Sequence, residues 1–92
     1  MARFESVWDA ISDTPQEALN MKVRAELMSK LTDTIEAWDI TQREAAERLG
    51  VTQPRVNDLL KGRIDRFSVD TLLNMSAAAH IPVTLSFATE VA

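Results

Sequence analysis

Residues 41–62 read TQREAAERLGVTQPRVNDLLKG, and this stretch decides the fold. Thr41 followed three residues later by Glu44 is a capping box, the reciprocal pairing that satisfies the orphan N–H groups of a helix start. Ala45, Ala46 and Leu49 then supply a short apolar face at helical spacing. Gly50 stops that helix, since glycine takes a left-handed backbone at little steric cost. Thr52 caps the next one, with Pro54 in its first turn, Val56, Leu59 and Leu60 facing inward, and Gly62 at its end. The small alanines let the two helices approach closely, and Val51 and Val56 fill the angle between them. One outer face of the second helix is left free, of a size to enter a groove about 12 Å wide.

The flanks extend the helical reading. Upstream, Thr14-Pro15-Gln16-Glu17 is a helix start, and the helix it opens is expected to reach about Trp38. Its buried stripe is predicted as Leu19, Val23, Leu27, Leu31, Ile35 and Trp38. Downstream, Ser68 caps a further helix with Asp70 near its positive end. Leu72, Leu73, Met75 and Ala79 are its predicted buried residues, and Pro82 its stop. Residues 83–88 change period: Val83, Leu85 and Phe87 alternate with Thr84, Ser86 and Ala88, as in a half-buried strand. No second strand candidate is present, so pairing with an identical strand of a second copy, in a twofold homodimer, is expected. The fold class is therefore all-α, a helix-turn-helix bundle with a C-terminal β-strand paired across a dimer. Residues 1–13 form an amphipathic extension (Phe4, Val7, Trp8 and Ile11 at helical spacing), residues 14–81 the bundle, and residues 82–92 the dimerisation strand and tail.

A chain of 92 residues makes one domain with a modest core. With no cysteine, disulfides and thiolate metal sites are excluded. No apolar run has the length of a membrane span and no signal-peptide pattern opens the chain, so a soluble cytoplasmic protein is expected. Net charge is −4, which argues against a polyanion partner until its distribution is considered. Residues 1–40 carry four bases against eight acids, whereas residues 55–66 carry four bases against two acids. Phosphate neutralisation is local, so the excess sits where a groove-reading helix needs it.

The polar residues of that segment suit duplex DNA. Gln53, at the helix start, can bond adenine bidentately, Pro54 offers apolar surface to a thymine methyl, Arg55 can grip guanine or phosphate, and Asn57 lies one turn on. Thr41, Gln42 and Thr52 sit at helix starts, where side chains and backbone N–H groups hold phosphates. Lys61, Arg63 and Arg66 follow the reading helix and are expected on the flanking backbone.

With these residues in place, the pattern TQxEAAxxLGVxQPxVxxLxxG resembles the Xre (Cro/C1-type) helix-turn-helix family. Lys61-Gly62-Arg63, the Phe67–Leu73 run and the Ile81–Phe87 segment resemble HigA-like antitoxins, so the likeness spans roughly residues 18–88. The resemblance implies a lambda-repressor-like bundle, with phosphate contact by Gln42 and base contact by Gln53, Pro54 and Asn57. It also implies a RelE/HigB-type toxin partner. No cofactor is implied.

Other classes fit less well. One histidine, no cysteine, no tyrosine and two glycines used at helix ends leave no assembly of nucleophile, base and orienting group, so an enzyme is not expected. His80 is read as a helix-end residue. Trp8 and Trp38 are read as packing, with Phe4 and Trp8 as an alternative docking surface. Asp9, Asp13 and Glu17 lack a calcium-loop pattern. The basic segment has no interleaved aromatics to stack RNA bases. The alternative function is a protein-interaction module that neutralises a partner without specific DNA binding.

Overall fold

The computed structural model describes residues 14–88; the expected N-terminal helix and residues 89–92 lie outside that range. Four α-helices and one 3-10 turn follow in order: α1 Pro15–Trp38, α2 Gln42–Leu49, α3 Gln53–Leu60, the turn Ile64–Arg66, and α4 Val69–Ala78. Each of the four described α-helices is capped at its start by a hydroxyl. Thr14, Thr41, Thr52 and Ser68 each accept from the backbone N–H three residues on, satisfying one of the orphan donors there. At Thr41 the box is complete, because Glu44 also accepts from the Thr41 N–H at 3.1 Å.

The helix ends share one device. Asp39, Gly50, Gly62 and His80 all take a left-handed backbone, with φ of 54°, 69°, 72° and 60°. After α2, α3 and α4 the next N–H reaches back across the turn, as Val51 to Ala46 O, Arg63 to Asp58 O and Ile81 to Ser76 O. These are Schellman closures, which satisfy carbonyls that the helix leaves unpaired. The end of α4 thus falls before Pro82: His80 turns the chain without help from proline. His80 is a helix-end residue, and the left-handed conformation is one that histidine tolerates better than most side chains.

A single core joins all four helices. Met28, Leu31 and Ile35 of α1 meet Ala45, Ala46 and Leu49 of α2, Val56 and Leu59 of α3, and Leu72, Met75 and Ala79 around α4, with Phe67 directly after the 3-10 turn. The α1 stripe differs from the expected one. Met28 replaces Leu19, which is 63% exposed, while Val23, Leu27 and Trp38 are only half-buried. The α2 and α3 stripes include the expected residues, except that Leu60 is half-buried. In α4, Leu73 faces outward and Ser76 is buried instead, its hydroxyl donating to Leu72 O at 2.8 Å. That intrahelical bond allows a polar side chain inside the core.

The expected C-terminal strand is corrected. Residues 81–88 carry no strand, and the described part of the chain contains none. A ladder needs a second extended segment for its N–H and C=O groups, and the rest of the described chain is helix and tight turn. Val83, Leu85 and Phe87 are 51%, 83% and 86% exposed, so neither face of this segment is covered. Among the described residues, no helix is long and apolar enough to cross a membrane.

Candidate nucleic-acid interface

The core contacts of α3 fix which side of it faces out. Val56 and Leu59 are 0% and 1% exposed, so helical geometry turns the row Gln53, Asn57, Lys61 away from the core. Gln53, Pro54 and Lys61 are exposed and Asn57 is half-buried. Gln53 and Pro54 occupy the first turn, where the side chains of a helix end project forward as well as outward. Ala45 at 0% and Ala46 at 5% exposure leave α2 slender where it packs against α3. The two helices therefore hold one another, and the outer row of α3 stands clear.

The threonines at the helix starts are already occupied as acceptors. Thr41 Oγ1 accepts from the Glu44 N–H at 3.1 Å, and Thr52 Oγ1 from the Arg55 N–H at 3.3 Å. Each hydroxyl keeps its proton for an outside acceptor. Gln42, half-buried, is the first residue of α2, where backbone N–H groups have no partner within the helix.

Arg55 is placed apart from the outward row. Its Nη1 donates to Arg66 O at 2.9 Å, and its guanidinium lies 5.2 Å from the centre of the Phe67 ring. The structure thus joins Arg55 to the segment after α3 and leaves Gln53, Pro54 and Asn57 on the open side. Arg63 and Arg66 converge on one atom: both Nη1 groups reach Asp58 Oδ1, at 2.7 and 3.0 Å. The hydrogen bond from Arg63 is the largest of the influences that hold the Asp58 carboxyl below the usual carboxylate range, and the bond from Arg66 acts the same way against the opposing cost of burial.

A carboxylate with a depressed folded-state value stabilises the fold above its unfolded value, near 4. That contribution is lost as pH falls through the folded value. Thermal stability is therefore expected to drop as pH goes from 5 towards 2. Asp58→Asn should flatten part of that slope, measured by melting at a series of pH values; an identical slope in the variant would remove Asp58 as a contributor.

Helical spacing and capping patterns do not mark three residues of this region. Arg24, on α1, donates through Nη1 to Ile64 O at 2.8 Å and Phe67 O at 3.4 Å, and through Nε to Asn20 Oδ1 at 2.7 Å. It ties the 3-10 turn to the long helix across 40 and 43 residues of sequence. Asp58 pairs at separations of five and eight, which no helix rule marks. Phe67, 4% exposed, sits outside any periodic stripe.

Two short capped helices on a common core, joined by a left-handed glycine and with one exposed polar row, define a helix-turn-helix protein. The chain belongs to a helix-turn-helix domain family, whose model matches residues 10–87. Among solved structures it is similar to a protein described as an XRE-family transcriptional regulator, with a TM-score of 0.71 and 27% identity. That likeness covers 77% of this chain and 80% of the other. No curated protein matches the chain.

Proposed function

We propose that this protein is a sequence-specific repressor of transcription that binds double-stranded DNA as a homodimer and serves as the antitoxin of a toxin–antitoxin pair. The observation that carries the DNA-binding reading is the division of α3, with Val56 and Leu59 sealed in the core and Gln53, Pro54, Asn57 and Lys61 outside. In this reading Gln53, Pro54 and Asn57 meet base edges in the major groove. Thr41, Gln42, Thr52 and Lys61 meet phosphates, as do Arg63 and Arg66 with the donors not given to Asp58. Arg55 acts by holding the following turn in place. The family and the XRE-family neighbour support the same reading.

The exposed Val83, Leu85 and Phe87 are the surface assigned to the second copy. Two reading helices about one DNA turn apart then face an inverted repeat. The antitoxin role rests on the HigA-like likeness of the sequence downstream of α3, and its partner is a RelE/HigB-type toxin.

Selection of bound sequences from random duplex DNA, at low and high salt, tests the reading. Enrichment of a palindrome is expected. Salt-sensitive binding without enrichment would reduce it to generic backbone attraction, and absence of binding would leave a protein-interaction module. Gln53→Ala is expected to cost about 1–3 kcal/mol at the enriched site and to relax preference at one base position; unchanged preference would remove Gln53 from the reading set. Lys61→Gln should weaken all duplexes alike and lower the salt slope by about one unit. An unaltered slope would place Lys61 off the backbone.

A further inference from the structure

We propose that Asp58 is a specificity-determining positioning residue: by holding Arg63 and Arg66 on one carboxylate oxygen beside α3, it makes their phosphate contacts count in a single docking register. The inference rests on the DNA-binding reading above. Its basis is the way one acidic side chain organises the cationic turn that follows the reading helix.

Asp58 grips that turn twice. Its main-chain carbonyl accepts from the Arg63 N–H at 3.1 Å, and its Oδ1 accepts from Arg63 Nη1 at 2.7 Å and Arg66 Nη1 at 3.0 Å. The turn is braced from other sides as well, by Arg55 on Arg66 O and by Arg24 on Ile64 O. The Asp58 side chain is only 18% accessible, whereas those of Arg63 and Arg66 are 40% and 55% accessible. The carboxylate therefore lies beneath and the guanidiniums face solvent. A guanidinium carries five N–H donors, so the Nη1 contacts to Asp58 leave several on each arginine for an outside anion.

Two physical consequences follow for a polyanionic partner. Tethered arginines present their donors in one geometry, so a duplex that docks out of register gains less from them than one held in register. The carboxylate also cancels one of the two positive charges, which lowers attraction to phosphate irrespective of sequence. Both effects favour discrimination over raw affinity.

Asp58→Asn keeps the shape and removes the charge. The test measures salt-dependent binding of the full chain to an enriched duplex and to a random-sequence duplex, with melting curves to verify the fold. For Asp58→Asn, random-duplex affinity is expected to rise and its salt slope to steepen by about 0.9, one further counterion released. Preference for the enriched site should fall severalfold. The steepening should vanish when Arg63→Gln and Arg66→Gln are added; persistence without the arginines would overturn the proposal, as would an unchanged slope in folded Asp58→Asn. Asp58→Glu provides a second measurement that does not depend on the first variant folding. It retains the charge but displaces the oxygen, so the random-duplex slope should stay as in the unsubstituted protein while preference drops, and an undiminished preference would overturn positioning. If the unsubstituted protein binds no duplex, the DNA reading and this proposal fall together. If it enriches a site that Asp58→Asn reads equally well with the same slope, only this proposal falls.

Discussion

Leu31→Ala is expected to destabilise the domain by about 2–5 kcal/mol, the range for truncating a fully buried leucine. Leu31 is 0% exposed in the C-terminal half of α1 and belongs to the cluster shared by all four helices. Its removal deletes apolar contact and leaves a cavity that rigid helices on several sides cannot close. Small domains have total stabilities of about 5–15 kcal/mol, so this one change consumes a large share. The melting midpoint should fall by about 10–30 °C. Leu19→Ala is the matched control, because Leu19 is 63% exposed and its loss should stay within about 0.5 kcal/mol. Equal losses at the two positions in urea unfolding would contradict the assignment of the buried face.

Arg24→Ala is expected to cost about 1.5–3 kcal/mol, the range for hydrogen bonds to a charged group. One guanidinium serves Ile64 O, Phe67 O and Asn20 Oδ1, and the two carbonyls belong to the 63–67 segment that also bears Arg63 and Arg66. Its loss should therefore reduce DNA affinity beyond what the fall in folded fraction explains. Lysine cannot spread donors over three acceptors in the same planar fork, so Arg24→Lys should recover little. Full recovery by lysine in denaturant titrations and duplex binding would mean that charge alone matters there.

The helices were legible because their causes are local. A hydroxyl accepts from an N–H three residues away, and a glycine takes positive φ through its own lack of a side chain, so Thr14, Thr41, Thr52, Ser68, Gly50 and Gly62 mark their boundaries in sequence. Ala45, Ala46, Val56 and Leu59 were legible as well, because a helix of eight residues has one apolar face to bury. The long helix was harder. Over the 24 residues of α1 several rows of apolar side chains compete, and only the position of the other helices selects Met28 over Leu19. Residues 83–88 show the opposite case: alternation marks a segment suited to pairing, but a strand exists only where a second strand supplies the ladder.

By itself the sequence determined four capped helices, the tight junction between α2 and α3, and the polar residues on the outward row of α3. Tertiary structure alone decided the direction of the arginines. Arg24 reaches across 40 residues to the Ile64 carbonyl, Arg55 turns to Arg66 O and the Phe67 ring, and Arg63 and Arg66 share Asp58. A long cationic side chain goes to whatever acceptor the fold brings near it, and that acceptor's place is set by packing elsewhere in the chain.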